Sequence, residues 1–290
     1  MLTNYRICMI GGDARHLEII HRLLELNAQV ILVGFDQLDQ AFTGCTSIKI
    51  NELDFATVDA ICLPIVGIGK DGEIDTIFSN EEIKLTKEHL AQTKERCVIF
   101  TGIYNEQLNN MAQSINRKVV HLLERDDVAI YNSIPTVEGT ILMAIQNTDF
   151  TIHGSNVMVL GLGRVGITVA RTFASLGAKV KVGARKSEHL ARITEMNLQP
   201  FHLGDLGHEL KDIDICINTI PKMIITENEI KQMLPHALII DLATKPGGTD
   251  FEFAKQRGIK ALLAPGLPGV VAPKTAGKIL AKGLINALTE

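Results

Sequence analysis

The chain is poor in aromatic residues, in net charge and in long apolar runs. It has no tryptophan and only 4% aromatic residues, which argues against a surface that stacks on nucleic-acid bases. Its net charge of −4 gives no electrostatic reason to bind nucleic acid or an anionic membrane. No apolar run approaches the length of a membrane span, and the first residues lack a signal-peptide pattern. We therefore expect a cytoplasmic protein whose partners are neither nucleic acids nor membranes.

Disulfides and metal clusters are also disfavoured. The five cysteines are odd in number, widely spaced and mostly inside apolar runs, and no CxxC or Cys/His cluster occurs in the sequence. This distribution predicts buried, reduced thiols and no metal site. What the chain does have is 290 residues, 46% of them hydrophobic, which is enough for two domains that each bury a core.

Short apolar runs alternate with helical patterns in both halves of the chain. This alternation predicts an α/β fold with two doubly wound, Rossmann-like parallel sheets. Predicted strands cover residues 6–10, 29–34, 59–64, 97–101, 118–123, 156–160, 179–183, 198–202, 214–219, 237–241 and 260–263. Residues 126–137 are interpreted as a connector before a helix near 136–146.

A final helix near residues 274–288 is predicted to cross back onto the first domain, since it follows the last strand of the second sheet. The expected domains are therefore residues 1–135 plus about 272–290, which would bind substrate or a partner, and residues 136–271, which would bind a cofactor. We expect the cleft between them to hold the reaction.

The most specific motif is the complete GxGxxG at residues 161–166, which lies between an apolar strand pattern and a helical pattern. Gly161 permits a tight turn, Gly163 lets a pyrophosphate approach the backbone, and Gly166 lets the helix pack close to the strand. The free N–H groups at the start of that helix would bind the phosphates. The predicted dinucleotide-binding residues of this turn are Gly161, Leu162, Gly163, Arg164, Val165 and Gly166.

The residues at the end of the next strand indicate which of the two nicotinamide cofactors is bound. An NAD site usually presents a carboxylate to the ribose diol at this place, whereas this chain has Arg185, Lys186 and Ser187. A guanidinium can form a forked pair with a 2′-phosphate, and a hydroxyl can donate to it. The sequence therefore predicts NADP rather than NAD.

Three further loops follow strands of the second sheet and converge on the same edge, where open α/β sheets bind ligands. From these loops we predict cofactor contacts by Asn218, Thr219, Ile220, Pro221, Asp241, Ala243, Leu267 and Pro268. Lys245 lies in one of them and supplies a cation beside the expected nicotinamide position.

The first domain also begins with a Gly-rich turn, but without the three-glycine spacing. Gly12, Asp13 and Arg15 follow the first strand and start a helix, so the turn is a candidate anion site for substrate. Asp36, at the end of the second strand, keeps a degenerate nucleotide site open as an alternative. A plain turn in which Asp13 caps the helix is the third interpretation.

Several segments, taken together, resemble the family of the dipicolinate synthase A subunit from spore-forming bacteria nearly end to end. The most specific are residues 131–140 (YNSIPTVEGT) and 264–277 (APGLPGVVAPKTAG), and others are 10–15 (IGGDAR), 78–82 (FSNEE), 124–127 (ERDD) and 214–221 (DICINTIP). The resemblance implies that NADP⁺ oxidises a dihydrodipicolinate, formed by dehydration of a hydroxylated tetrahydro precursor. It also implies that a B subunit takes part and that the reaction occurs in the mother cell during sporulation.

This chemistry suggests roles for residues near the predicted loops. A substrate with two carboxylates needs cations and hydrogen-bond donors, and the candidates are Gly12, Asp13, Arg15, Ser133, Thr136 and Lys274. The catalytic candidates are Asp241, Lys245 and Glu138, with the two carboxylates as proton acceptors. We also expect a homo-oligomer.

Two alternatives remain at this point. The chain resembles D-2-hydroxyacid dehydrogenases in plan, but residues 267–274, where their catalytic histidine would be expected, contain none. The chain could also bind NADP as a regulatory or scaffold component while the B subunit performs the chemistry.

Overall fold

The protein forms two α/β units in a computed structural model that describes residues 1–38 and 42–290. One unit comprises Met1–Asn132 and Ala272–Glu290, and the other comprises Ser133–Val271. Each contains a six-stranded sheet in which every strand pair is parallel. The predicted fold class is confirmed.

The first unit has the strand order β3-β2-β1-β4-β5-β6. Its strands are β1 (Arg6–Ile10), β2 (Gln29–Val33), β3 (Cys45–Ser47), β4 (Ala60–Cys62), β5 (Val98–Thr101) and β6 (Lys118–His121). Its helices are α1 (Ala14–Glu25), α2 (Lys87–Ala91), α3 (Glu106–Gln113), the first part of α4 (Asp126–Asn147) and α11 (Pro273–Thr289). Short 3₁₀ turns cover Ile50–Glu52, Phe55–Thr57 and Leu122–Glu124.

The second unit repeats this order as β9-β8-β7-β10-β11-β12. Its strands are β7 (Asn156–Leu160), β8 (Lys179–Ala184), β9 (Gln199–His202), β10 (Ile215–Asn218), β11 (Leu238–Asp241) and β12 (Lys260–Leu263). Its helices are the rest of α4, α5 (Arg164–Ser175), α6 (Ser187–Glu195), α7 (Leu206–Glu209), α8 (Glu227–Ile230), α9 (Phe251–Arg257) and α10 (Leu267–Val271), with a 3₁₀ turn at Leu203–Asp205.

The central strands are apolar and buried because both faces of each sheet are covered, whereas edge strands such as β3 and β9 carry exposed polar residues. In β1, Ile7 and Met9 belong to the core on one face, while Cys8 and Ile10 belong to the core on the other. In a parallel sheet of this order, the connections that follow the two central strands run toward opposite edges of the sheet. Ligands bind beyond the carboxyl ends of those two strands. The order therefore directs attention to the turns after β1 and β4 and after β7 and β10.

The C-terminal helix α11 packs on α1 in the first unit, as predicted. A Cβ on Gly277 would overlap the Arg15 carbonyl of α1, so the missing side chain permits close approach of the two helices. Leu280, Ala281 and Leu284 are buried in the same core as residues of α1. The last 19 residues thus complete the first unit.

The predicted connector at residues 126–137 was wrong, since Asp126–Asn147 is one helix of 22 residues. Asp126 and Asp127 favour its N-terminal turn through the helix dipole. Pro135 removes one hydrogen bond inside the helix, but burial of Val128 in one core and of Val137 in the other outweighs that cost. The division between the units falls within this helix, between Asn132 and Ser133.

The sequence led us to expect no apolar run of membrane-spanning length, and this helix is an exception. Asp126–Asn147 is long and apolar enough to cross a membrane by length and composition alone, and 39% of the apolar window is buried inside the protein. A core helix of a soluble protein passes the same test, so these criteria are weak evidence for a membrane span.

Candidate functional site

The turn between β7 and α5 leaves open space where a dinucleotide would need it. Gly161 has φ +99°, and a Cβ there would lie 2.6 Å from Thr219 Oγ1. Gly166 packs against the carbonyl of Gly161. At Gly163, in contrast, no atom of residues 1–38 or 42–290 other than those of the glycine and its two chain neighbours lies within 4 Å of the position that a Cβ would take. The first and third glycines are thus required by contacts within the turn, while the second faces space that a ligand can fill.

Helix α5 begins at this turn with its N–H groups available for an anion. It has twelve residues and its N-cap is Gly163, with no acidic residue in the first turn and no side-chain cap within the described chain. Uncapped N–H groups and the positive end of the helix dipole together favour a phosphate. The turn follows β7, one of the two central strands, which is where the strand order places a ligand.

The strand β8 ends beside this turn in a run of exposed polar residues. Arg185, Lys186 and Ser187 are all exposed, and Ser187 is the first residue of α6. Lys186 Nζ lies 3.7 Å from Glu188 Oε1, whereas Arg185 forms no ion pair within residues 1–38 and 42–290. One guanidinium and one hydroxyl are therefore accessible where a ribose phosphate would lie.

A buried carboxylate joins the ends of β10 and β11. Asp241 has no exposed surface, and its oxygens accept hydrogen bonds from Asn218 Nδ2 (3.0 Å), Ala243 N (3.0 Å), Gly248 N (2.8 Å) and Thr249 Oγ1 (2.7 Å). Each carboxylate oxygen has two donors, so both are satisfied. This geometry fits a structural anchor and does not fit the proton acceptor expected from the sequence.

The other predicted residues of the second unit differ in their accessibility. Lys245, Pro221 and Glu138 are exposed, and Ile220 is half-buried. Ala243 is buried, as are Leu267 and Pro268, which belong to helix α10 rather than to a loop. The hydroxyls of Ser133 and Thr168 lie 2.7 Å apart, and the carbonyl of Thr136 accepts a hydrogen bond from Thr140 Oγ1.

The corresponding turn of the first unit is filled by its own side chains. Asp13 is the N-cap of α1 and accepts from Arg15 N (3.0 Å), and its carboxylate also pairs with the Arg15 guanidinium. His16, which is buried, accepts from Asp13 N at Nδ1 (3.0 Å) and faces the Leu63 carbonyl with Nε2 (3.2 Å). The carboxylate thus takes the place that an external anion would need.

These contacts change the acidity of Asp13. Burial by itself raises the pKa of this carboxyl, but the hydrogen bonds from Arg15 and the positive charge of its guanidinium outweigh burial. The pKa of Asp13 consequently lies well below its ordinary value, so this carboxylate stays ionised and paired with Arg15 at neutral pH.

A second segment of the chain crosses this turn. Gly12 N donates to the Asp75 carbonyl (3.0 Å), and Ile77 N donates to the Gly12 carbonyl (3.1 Å). Gly11, at φ +63°, would place a Cβ 2.6 Å from the same Asp75 carbonyl. The Gly-rich turn after β1 therefore lacks, among the described residues, the open space found beside Gly163.

Three contributors to these sites were not found from the sequence. His16 had a signal, because it lies on the same helical face as the buried Ile19, Ile20 and Leu23. Thr249 precedes the N-cap Asp250 of α9 and looks like an ordinary capping residue. The segment around Asp75 had no local signal, since its contact with Gly12 joins residues far apart in the chain.

Lys274 and the five cysteines lie outside both Gly-rich turns. Lys274 is exposed in the first turn of α11. The five cysteines are free thiols, of which four are buried and Cys45 is half-buried. Burial raises the pKa of Cys62 to about 12 and of Cys97 to about 11, so these thiols stay protonated and are poor nucleophiles.

Comparisons with known proteins agree with this architecture. Residues 6–123 match the family model of the N-terminal domain of the dipicolinate synthase A subunit, and residues 136–290 match that of the alanine dehydrogenase/PNT C-terminal domain. The chain is 61% identical to the dipicolinate synthase A subunit of Bacillus subtilis (strain 168), over 100% of this chain and 98% of that protein.

Solved structures extend the likeness. The crystal structure of the dipicolinate synthase A subunit from Bacillus halodurans has a TM-score of 0.98 and 60% identity, covering 100% of this chain and 99% of that chain. A transhydrogenase from Sinorhizobium meliloti has a TM-score of 0.69 at 15% identity, covering 97% of this chain and 93% of that one. The second likeness concerns the fold alone.

Proposed function

Because the chain belongs to the family of the dipicolinate synthase A subunit, we propose that it oxidises a dihydrodipicolinate to dipicolinate with NADP⁺, together with a B subunit. The immediate precursor is 4-hydroxytetrahydrodipicolinate, which loses water to give the dihydropyridine. The ring then loses a hydride to NADP⁺ and a proton to a base, and the products are the aromatic pyridine dicarboxylate and NADPH.

The observation that carries the proposal is the open turn at Gly163, followed by an uncapped helix. The residues present fit a dinucleotide, since the pyrophosphate requires close backbone approach and free N–H groups. Arg185 and Ser187 favour NADP, because a guanidinium attracts a 2′-phosphate and a hydroxyl can donate to it. A domain of this family binds NAD(P), and we propose NADP as the specific cofactor of this chain.

The bound cofactor supplies a hydride acceptor, and the protein has to place the ring against it. We assign the border of the nicotinamide to the loops after β10 and β11, which contain Thr219 and Ala243. The two substrate carboxylates need cations. Lys245 and Lys274 are the most accessible candidates, since Arg15 already pairs with Asp13.

Proton removal needs only a weak base, because the ring becomes aromatic as the proton leaves. Of the two carboxylates predicted for this role, Glu138 is exposed and Asp241 is enclosed by four donors. We therefore retain Glu138 as the candidate acceptor, with Lys245 as the residue that orients the substrate. Ser133 and Thr136 remain candidate donors to a substrate carboxylate.

The proposal includes the setting of the reaction. The name of the relatives implies a B subunit, and we propose that the complex acts in the cytoplasm of the mother cell during sporulation. A homo-oligomer of this chain is also part of the proposal.

Purified chain mixed with NADP⁺ and freshly generated 4-hydroxytetrahydrodipicolinate tests the activity. We expect dipicolinate, seen by its ultraviolet absorbance or by terbium luminescence, in step with NADPH formation. Product only in the presence of the B subunit, with full tolerance of Glu138→Gln and Lys245→Ala in this chain, would instead identify an NADP-binding regulatory component. The absence of a histidine from residues 267–274 disfavours alcohol oxidation of the D-2-hydroxyacid type.

A further inference from the structure

The end of β11 carries a carboxylate that the proposed reaction does not use. Asp241 is completely buried, and its charge is compensated by four short hydrogen bonds. A buried carboxylate is costly unless its lone pairs are satisfied, and here all of them are. Such a group holds its donors firmly in place, and it offers no free lone pair to a substrate proton.

The donors come from two separate loops. Asn218, at the end of β10, donates to Asp241 and to the Ile220 carbonyl (3.1 Å), and it accepts from Ile220 N (3.0 Å). Gly248 donates to Asp241, and its carbonyl accepts from Ile224 N and Ile225 N, both at 2.9 Å. One carboxylate therefore fixes the loop after β10 and the loop after β11 to each other.

The loop after β10 is in turn fixed to the Gly-rich turn. Thr219 N (3.0 Å) and Thr219 Oγ1 (2.7 Å) both donate to the carbonyl of Leu160, the last residue of β7. The same hydroxyl occupies the space where a Cβ of Gly161 would be. Contacts thus run without a break from Asp241 through Asn218 and Thr219 to the turn that faces the open space.

We propose that Asp241 is a positioning residue of the dinucleotide site. It holds the two loops so that Thr219 sets the backbone of Gly161 in the conformation that aims the α5 N–H groups at the ligand. This inference rests on the proposed function for the identity of the ligand, but its test is a binding measurement that does not require the reaction. The positioning cluster is Asn218, Asp241, Gly248 and Thr249.

The chain offers a matched control at the opposite end of the same strands. Asp214 precedes β10, is partly buried, and accepts from Asn156 N (2.8 Å) and from His236 Nε2 (2.9 Å). It also joins neighbouring strands through hydrogen bonds, but at the amino ends, away from the Gly-rich turn. Asp214→Asn therefore reports the general cost of losing a structural carboxylate.

The affinity for NADPH, measured by titrating its fluorescence, separates the two carboxylates. We expect Asp241→Asn to raise Kd about tenfold, the equivalent of one charged hydrogen bond. Asp214→Asn should leave Kd within about twofold of the unmodified chain, as for a distant and independent site. Both variants should lower the unfolding temperature. Equal Kd values for the two variants would overturn the inference.

A second pair of variants tests the same inference if Asp241→Asn does not fold. Thr249→Val removes one donor to Asp241 with little change of volume, whereas Thr249→Ser keeps the hydroxyl. We expect a raised Kd in the first and the original Kd in the second, and failure of Ser to restore affinity would contradict the account.

The pH profile of activity distinguishes positioning from proton transfer. A positioning role predicts that Asp241→Asn lowers activity and keeps the shape of the profile. Loss of one limb at unchanged Kd would show that Asp241 is the proton acceptor instead. If the unmodified chain binds NADPH but forms no dipicolinate, the proposed reaction fails, while the comparison of Kd values still decides the role of Asp241.

Discussion

The turn after β1 and the turn after β7 follow equivalent strands in two sheets of the same order, yet their surroundings differ. After β7, Gly163 faces open space and helix α5 has no side-chain cap within the described chain. After β1, Asp13 caps helix α1, Arg15 neutralises Asp13, and the Asp75 carbonyl covers Gly12. Two similar-looking Gly-rich turns thus have an accessible helix N-terminus in one unit and an occupied one in the other.

The difference shows what makes such a turn a binding site. Glycine lets the backbone bend in both turns, since Gly11 and Gly161 both have positive φ. What separates them is the helix N-cap: the Asp13 side chain accepts from Arg15 N in one unit, whereas Gly163 provides no side-chain cap in the other. The anion site of the first unit is therefore already filled by a carboxylate of the protein itself.

The largest effect should come from closing the open turn. Gly163→Val adds a side chain at φ −87°, an ordinary conformation, so the fold should keep its unfolding temperature. We expect the affinity for NADPH to fall roughly a hundredfold, because two charged hydrogen bonds to the pyrophosphate are lost. Titration of NADPH fluorescence, together with thermal unfolding, measures both properties.

Gly12→Val is the matched variant in the first unit and should behave in the opposite way. Gly12 has φ +128°, and a Cβ there would lie 2.5 Å from His16 Cγ. We expect a loss of about 1–3 kcal/mol in the free energy of unfolding, from backbone strain and overlap, with unchanged NADPH affinity. A large loss of affinity in Gly12→Val would give the first unit a nucleotide-binding role.

The next effect concerns the ends of the second strands, where the units again differ. Arg185 follows β8, whereas Asp36 follows β2. Arg185→Asp should weaken NADP⁺ binding roughly thirtyfold and NAD⁺ binding only slightly, because the guanidinium is expected to contact the 2′-phosphate alone. Asp36→Ala is the control and should change neither constant. Equal weakening of both cofactors by Arg185→Asp would rule out the phosphate contact.

The Gly-rich turn of the second unit could be predicted from sequence because its signals are local. A strand pattern, three spaced glycines and a helix pattern are contiguous, and so is the basic segment after β8. The Asp13 cap of the first turn was one of three interpretations of the sequence, but the contact that covers Gly12 could not be predicted, because the Asp75 carbonyl reaches Gly12 from a distant part of the chain. Asp13 and Arg15 were both candidate residues in the sequence, but the ion pair between them was not predicted.

Errors in the predicted fold have similar causes. Residues 126–137 were interpreted as a connector, while burial of Val128 in one core and of Val137 in the other keeps the helix continuous. Likewise, nothing in the sequence around Asp241 distinguishes an accessible carboxylate from one enclosed by four donors, since two of those donors belong to Asn218 and Thr249. Side-chain accessibility depends on tertiary contacts that local patterns do not contain.

A smaller effect should appear in the pH dependence of stability. The depressed pKa of Asp13 in the folded state means that its carboxylate stabilises the fold above its unfolded pKa of about 4, and that this contribution is lost as the pH falls. Asp13→Ala should therefore lower the free energy of unfolding by about 1 kcal/mol near neutral pH, where the cap is lost, and by less in acid. Urea unfolding at two pH values measures this, and a difference independent of pH would contradict it.

The smallest effect is expected for substrate binding in the first unit. Arg15→Ala should raise the KM for 4-hydroxytetrahydrodipicolinate only about threefold, because the Arg15 guanidinium already pairs with Asp13 in a partly buried ion pair and is not expected to contact the substrate directly. The NADPH affinity should stay unchanged. A rise in KM of about a hundredfold, the scale of a direct charged contact, would show that Arg15 leaves Asp13 to bind a substrate carboxylate.

The stoichiometry of cofactor binding tests the contrast between the two turns most directly. Calorimetric titration of the purified chain with NADPH should give one site per chain, and this site should disappear in Gly163→Val and persist in Gly12→Val. Two sites per chain, or a single site that survives Gly163→Val, would contradict the account, because the first turn would then bind a dinucleotide despite Asp13 and the covering segment.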